Sequence, residues 1–308
     1  MFRVGTAGWS YEDWIGIVYP KPAPRGFDRL ALMASLFDAN EINSTFYRIP
    51  TARQTADWAR RVSHNPRFAF TAKLYRGFTH EREAGAEDRR AYLQALEPLA
   101  AANRLGAVLA QFPVSFHATD ENRARLDRIL DDFAALPLAA EFRHRSWDSP
   151  EVLAALSDRG AAFVNIDQPW LGDNLRATEH VTAPFSYFRF HGRNAAKWFG
   201  PDTSNEARYD YLYSGEELAP WTERIRRSAE RLPARPAGRA DAAARGVYAI
   251  LNNHFRGQAV ANALELQHAL TGATPEAPPA LFETYARLER FAKPSGAAAQ
   301  IPLFRGRG

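Results

Sequence analysis

Cysteine is absent from the 308 residues. That one absence excludes a disulfide scaffold, a thiolate-bound zinc site, an iron–sulfur cluster and a thiol nucleophile. Lysine is scarce: Lys21, Lys73, Lys197 and Lys293 are the only four, so arginine supplies 39 − 4 = 35 of the basic residues. No run approaches the roughly 18 apolar residues of a membrane helix. The opening MFRVGTAGWS also lacks the basic and apolar regions of a secretion signal, so the expected location is the cytoplasm, with no membrane partner. A strong charge of one sign is missing too, since 39 basic and 35 acidic residues leave +4. The pI of about 9.4 reflects how high arginine titrates and does not by itself mark a nucleic-acid binder. HExxH, phosphate-loop, nucleophile-elbow and dinucleotide-fingerprint patterns are absent as well.

What is present is enough apolar material, 46% hydrophobic against 24% charged, for a substantial core. Eight β-rich runs recur at about 2–6, 40–45, 67–73, 106–111, 137–142, 161–167, 185–190 and 246–252, with helical patterns between them. Leu30, Met33, Ala34 and Phe37 fall at helical spacing, as do Leu126, Ile129, Leu130 and Phe133. Thr51 with Gln54 and Ser214 with Glu217 have capping-box spacing, Ser149-Pro150 places a cap before a first-turn proline, and Gly160 supplies a stop. Pro98 predicts a kink or break near 97–100. The unit after Asp167 shows no helical pattern.

Strict strand–helix alternation implies a parallel sheet, and eight strands predict closure into a single (β/α)8 barrel, an α/β fold with decorated loops at its C-terminal face. The barrel is expected over 1–292. Within it the Pro/Ala/Arg-rich stretch 231–246 reads as an exposed loop, and 293–308 as a flexible tail.

In such a barrel the strand ends carry the chemistry. Period-two alternation in SYFRFHG puts Tyr187, Arg189 and His191 on one face, toward the interior, and Phe188 and Phe190 on the other. The same reading groups Glu41, Asn43 and Thr45 on the second strand, Thr71 and Lys73 on the third, Gln111 on the fourth and Glu141 on the fifth. Asn165 and Asp167 follow on the sixth, and Asn252 or Asn253 closes the ring. Burying so many polar groups costs roughly 1–3 kcal/mol for each one left unsatisfied, so they are either paired with one another or used on a ligand.

His80, His117, His144, His191 and His254 lie just beyond strand ends. A loop histidine more often serves as a surface or hydrogen-bonding group, and His191 alone stands out, on a strand face beside Arg189. Lys73 ends a strand in a chain that otherwise prefers arginine, which points to a compact, deprotonatable amine; the alternative is an ion pair with Glu41 or Glu141. Trp9, Tyr11, Trp14 and Tyr19 fill the first strand-to-helix loop, as stacking platforms or as plugs of the barrel mouth. Arg123, Arg125 and Arg128, and likewise Arg224, Arg226 and Arg227, have acidic neighbours and read as solvated helix faces.

The stretches GTAGWSYEDWIGIVYP, EINSTFYRIP, FTAKLYRGFTH, GAVLAQFP, AAEFRHRSW, FVNIDQP, YFRFHGR and NNHFRGQAVANAL, in this order from about residue 3 to 268, closely resemble the YecE-like family, domain of unknown function 72. The resemblance implies a (β/α)8 barrel and brings no established reaction. Departures are small: Val18-Tyr19-Pro20 stands where the family has Phe-Tyr-Pro, and 231–246 has the look of an insertion.

The expected function is an enzyme of hydrolase or lyase type acting on a polar, anionic or sugar-containing small ligand. Lys73, Glu141, Asp167 and His191 are the catalytic candidates. Trp9, Glu41, Asn43, Thr45, Tyr47, His80, Gln111, Arg143, Tyr187, Arg189, Arg193, Asn252 and Asn253 are the substrate-binding candidates. No organic cofactor is evident and no metal ligand set is assigned; Glu141, Asp167 and His191 leave room for a weakly bound divalent ion, although the cations around them argue against an acidic metal cage. Metal-assisted nucleic-acid processing or binding is the alternative, and a non-catalytic small-molecule sensor the third.

Overall fold

Eight short strands, each followed by a connection long enough to return to the same edge, can satisfy every backbone group by closing on themselves. The chain does so. The structure, a computed structural model, describes residues 1–195, 208–233 and 243–295. Strands β1 (Phe2–Ala7), β2 (Ala39–Ile42), β3 (Ala69–Lys73), β4 (Leu105–Gln111), β5 (Leu138–Glu141), β6 (Ala162–Asp167), β7 (Phe185–Phe190) and β8 (Gly246–Leu251) form a closed barrel in sequence order. All pairings are parallel, and β8 closes on β1 from Phe2↔Val247 to Thr6↔Leu251. This is the expected (β/α)8 barrel.

The helices are α1 (Arg29–Leu36), α2 (Ser44–Tyr47), α3 (Ala52–Arg61), α4 (Ala86–Ala101), α5 (Asp120–Asp132), α6 (Pro150–Asp158), α7 (Gly215–Arg231), α8 (Gln258–Thr271) and α9 (Pro279–Thr284). Both expected apolar stripes are buried, Leu30, Met33 and Ala34 on α1 and Leu126, Ile129 and Leu130 on α5. Phe37 and Phe133 are the buried C-caps of those two helices. Thr51 caps α3 through the Gln54 N–H, and Ser214 and Glu217 form a reciprocal capping box on α7. Ser149 stands at the N-cap of α6 but makes no side-chain cap bond, and Gly160 follows that helix with φ +62°. Between Asp167 and Phe185 there is no helix.

Three expectations need correction. Helix α4 runs unbroken through Pro98, which lies in its last turn, where the missing N–H forfeits one ladder bond while buried Leu96 and Leu99 hold the segment in place. Strand β2 stops at Ile42, so Asn43 and Thr45 lie beyond it; the Thr45 hydroxyl bonds back to the Ile42 carbonyl at 2.9 Å and turns the chain into α2. The tail expected at 293–308 begins inside the fold, because Lys293 and Pro294 pair in parallel with Glu276 and Ala277, and Ala292 and Leu288 pack beneath them. Residues 296–308 lie outside the described residues, as does most of the loop expected at 231–246; Arg231 ends α7 and Gly246 opens β8. Among the described residues no helix is long and apolar enough to cross a membrane.

Candidate active site at the barrel mouth

Residues paired across a parallel sheet point to the same side of it, so the register assigns each side chain to the inside or outside. Glu41 pairs with Thr71, Lys73 with Leu109, and Gln111 with Glu141. Tyr187 pairs with Tyr248 and Arg189 with Ile250. These residues face inward, and Asn252 and His191 continue the alternation just past β8 and β7.

The polar ring has a fixed wiring. Arg189 donates from Nε and Nη2 to the two oxygens of Glu41, at 3.0 and 2.6 Å, and from Nη1 to Glu141 at 2.9 Å and Gln111 at 3.0 Å. Tyr187 donates to Glu41 at 2.8 Å and lies 2.8 Å from the Thr71 hydroxyl. The second oxygen of Glu141 faces Arg143 Nη2 at 2.7 Å and His191 Nε2 at 3.2 Å. Burial alone would raise the Glu141 carboxyl, but Arg143, Arg189 and His191 together hold it well below the usual carboxylate range. Arg189 is pushed upward because Glu141 and Glu41 outweigh its burial.

Both ring nitrogens of His191 have polar neighbours. Asn252 Nδ2, a donor, sits 3.0 Å from Nδ1, and Arg143 Nη2 approaches the same nitrogen at 3.5 Å. Nδ1 therefore serves as the acceptor, and Nε2 stands between a Glu141 oxygen at 3.2 Å and Arg189 Nη1 at 3.4 Å. Burial, reinforced by Arg143, lowers this imidazole to about 3, so it is neutral at physiological pH. His191 and Glu141 are fully buried, and both touch Arg143, whose side chain is 12% exposed.

Lys73 differs from the rest of the ring. Among the described residues its ammonium makes no ion pair or hydrogen bond, and the ion pair with Glu41 or Glu141 held open as an alternative does not form because Arg189 and Arg143 occupy those carboxylates. Its nitrogen lies 4.1 Å from the centre of the Phe46 ring. Its backbone carbonyl is held by the Thr45 hydroxyl at 2.7 Å and the Tyr92 hydroxyl at 2.8 Å. Burial, then Arg189, lowers the amine to about 7, with Glu41 and Glu141 opposing. His80, on the turn after β3, packs edge-on against Phe46 and accepts or donates at Thr79, 2.9 Å away; burial and then Lys73 lower it to about 4.

The expectation that Asp167 joins this ring is corrected by the register. Ile166 pairs with inward-facing Arg189, whereas Asp167 pairs with Phe190 and Asn165 with Phe188, which pack outward on Trp221 of α7. The sixth strand is offset by one residue from the parity assumed for it. Asp167 instead binds Arg193 Nε at 2.9 and 3.1 Å and is hydrogen-bonded to Tyr213. Gly192, at φ +84°, turns the chain right after His191 so that its own N–H donates to the Tyr213 hydroxyl at 2.8 Å. Burial raises the Asp167 carboxyl despite Arg193. Asn165 is consumed by Thr178 and His180.

Other candidates lie outside this wiring. Asn253 faces outward and bonds the Tyr211 carbonyl and Asn262, and Thr45 is used up by two carbonyls. In the first loop Trp14 is buried and donates to the His254 carbonyl, Tyr19 donates to the Trp9 carbonyl, Tyr11 stacks on His254, and Trp9 packs against Trp58. Asn43 reaches the Tyr11 hydroxyl at 3.4 Å, and Tyr47 is exposed with the Arg76 guanidinium over its ring. His117 and His144 stack on one another 3.9 Å apart, away from the ring. Among the described residues no three His, Asp or Glu side chains converge as a metal ligand set.

Three cavities open over the strand ends, the first of about 370 Å³ between the ends of β1 and β2, lined by Trp9, Tyr11, Asn43 and Trp58. A second of about 190 Å³ is lined by Gln111, Arg143, Gln168, Arg208 and Tyr209, and a third of about 340 Å³ by Asp167, Gln168, Trp170, Arg176 and Arg193. Phe46, Gln168 and Trp170 escaped the sequence reading, although all three sit inside or directly beside the segments it singled out; Gln168 locks the Arg143 loop by bonding both its guanidinium and its carbonyl. A further surface groove, about 690 Å³, lies between α7 and α8 and is mostly apolar. No cluster of inward-facing ring residues reaches it, so the strand ends remain the candidate site.

Known proteins share this architecture. Residues 3–283 match the family described as "Protein of unknown function DUF72". The UPF0759 protein YunF of Bacillus subtilis is 30% identical over 288 residues, covering 88% of this chain and 95% of that protein. A DUF72 family protein of Thermotoga maritima is 34% identical with a TM-score of 0.75, covering 88% of this chain and 99% of the other. One from Enterococcus faecalis is 30% identical with a TM-score of 0.73, covering 88% and 95%. With the match running almost the full length of the barrel and through every strand that builds the polar ring, the chain belongs to the DUF72 family of proteins of unknown function.

Proposed function

We propose that the C-terminal mouth of the barrel is the catalytic site of a lyase- or hydrolase-type enzyme acting on a small polar substrate with an anionic or sugar portion. The observation that carries this reading is Lys73. It is only 8% exposed, yet its amine has no ionic partner among the described residues while both nearby carboxylates are committed elsewhere. A lysine kept for stability would be paired, because a buried unpaired ammonium is expensive. Held near neutrality, this amine is suited to proton transfer or to nucleophilic attack at physiological pH.

The neighbours supply the remaining roles. Arg143 presents the edge of its guanidinium to the cavity shared with Gln111 and Gln168 and suits a phosphate or carboxylate. Glu141 and neutral His191 hold that guanidinium in place from below. The Trp170 ring, 69% exposed with Arg176 over it at 5.2 Å, offers a flat face for a sugar at the rim. A nucleic-acid reading has weaker support, since the helix arginines that could form a basic stripe are paired, Arg226 with Glu223 and Arg227 with Glu179.

A thermal-shift screen of sugar phosphates, keto acids and inorganic phosphate on the parent and on Arg143→Met tests the proposal. Anionic compounds should raise the Tm of the parent and lose most of that effect in the variant. Equal shifts in both, or none in the parent, would remove the mouth as the ligand site.

A further inference from the structure

Lys73 sits at the last position of β3, with its backbone fixed from two sides by the Thr45 and Tyr92 hydroxyls. Its side chain therefore starts from an immobile point and points into the ring of charges at the strand ends. Its nitrogen lies 4.1 Å from the centre of the Phe46 ring, a cation–π contact that supplies neither a hydrogen bond nor a counter-charge. The acids that could capture it are spent on Arg189, Arg143 and His191. This is a nucleophile's setting: a buried amine at a held strand end, with the Arg143 guanidinium among the charges around it.

We propose that Lys73 forms an imine with its substrate, and that this substrate is a small aldehyde or ketone carrying a phosphate or carboxylate held by Arg143. The proposal rests on the reading of the mouth as an anion site. The amine lone pair attacks the carbonyl carbon, forming a C–N bond while the carbonyl π pair moves to oxygen, which takes up a proton. The resulting carbinolamine expels that oxygen as water, and the nitrogen lone pair closes the C=N bond. The net change is amine plus carbonyl plus one proton giving iminium plus water. In a substrate with a hydroxyl on the β carbon, the bond between the α and β carbons then breaks: its electron pair flows into the iminium to give an enamine, and the β fragment leaves as a carbonyl after its hydroxyl loses a proton. A proton returned to the enamine carbon restores the iminium, and water releases the amine and the product carbonyl. Such chemistry assigns the site to lyase-type cleavage and sets hydrolysis aside.

The charges facing the amine fit this use. Arg189 from β7, Arg143 from the loop after β5 and His80 from the turn after β3 surround it together with the acids Glu41 of β2 and Glu141 of β5. Burial and the two arginines outweigh the acids and hold the amine at about 7, so a large fraction is free base at neutral pH.

Four lysines in the chain make the test site-resolved. The full-length protein is incubated at pH 7 with glyceraldehyde 3-phosphate, or separately with pyruvate, in the presence of sodium cyanoborohydride, which delivers hydride to the C=N carbon and leaves a stable secondary amine. Peptide mass spectrometry then reads each lysine. The expected result is an adduct on Lys73 formed at least tenfold faster than on Lys21 or Lys293, suppressed by inorganic phosphate and lost in Lys73→Met. No adduct on Lys73 with either probe, or labelling no faster than at the exposed lysines, overturns the imine. Phosphate separates the two levels: if it raises the Tm of the parent and not of Arg143→Met while Lys73 stays unlabelled, the anion site stands without the imine. If it raises neither and Lys73 stays unlabelled, both fall.

Discussion

Arg189 crosses the barrel from β7 to β2 and grips both carboxylate oxygens of Glu41, at 2.6 and 3.0 Å, with neither partner reaching solvent. Its remaining nitrogen reaches Glu141 and Gln111, so one guanidinium ties together side chains from four strands. A guanidinium can do this because its donors radiate in one plane; an ammonium has the charge without the fork.

Arg189→Lys should therefore destabilise the barrel strongly, because it leaves at least one buried carboxylate without its partner. The expected loss is about 3–5 kcal/mol. Urea denaturation measures it, and a loss below about 1 kcal/mol would mean the ring reorganises without the fork.

His191 gives a prediction about acid. It is fully buried and lowered to about 3, against an ordinary value of about 6.5, so the unfolded chain binds more protons between those pH values. Its contribution to stability is present above about 6.5 and is lost as pH falls toward 3. Between pH 7 and 5 this amounts to about 2 kcal/mol. His191→Gln should be less stable than the parent at pH 7 but lose less on going to pH 5. Identical pH slopes for the two proteins would show that the imidazole does not stay neutral in the fold.

The barrel was legible in the sequence because its signals are local and repeated: eight β-rich runs, capping-box spacing at Thr51 and Ser214, and apolar stripes on α1 and α5. Most of the polar ring was legible for the same reason, since alternation in SYFRFHG fixes Tyr187, Arg189 and His191 to one face. What escaped depends on registers between strands. Asp167 sits one residue out of the parity assumed for β6, and only its pairing with Phe190 reveals that it faces outward. Which carboxylate takes which arginine is equally non-local, so the solitary amine of Lys73 could not be separated from an ion-paired one until Arg189 and Arg143 were seen on Glu41 and Glu141.

That outward orientation has a measurable consequence. Asp167 closes a cluster of Arg193, Tyr213 and the turn at Gly192, so Asp167→Ala should cost roughly 1–3 kcal/mol from groups left unsatisfied. The same variant should still bind phosphate at Arg143. Urea denaturation alongside phosphate titration separates the effects, and loss of phosphate binding with intact stability would return Asp167 to the ligand site.

Lys73→Met separates an amine kept for chemistry from one kept for the fold. The folded amine titrates at about 7 and an ordinary lysine at about 10.4, so between these values the unfolded chain holds the extra proton. Stability therefore rises with pH across this window, is complete above about 10.4 and is lost as pH falls through about 7. Methionine removes that dependence while keeping most of the side-chain volume against Phe46. From pH 7.5 to 9.5 the parent should gain on the variant by roughly 1.4 kcal/mol for each pH unit, or about 2–3 kcal/mol across the interval. At pH 7.5 the variant should be at least as stable as the parent, because no carboxylate loses a partner when the amine is removed. Urea denaturation of both proteins at the two pH values provides the comparison. A variant weaker than the parent by 2 kcal/mol or more at pH 7.5, with the gap unchanged at 9.5, would show a charged lysine paired within the fold, and the mouth would lose its reactive group.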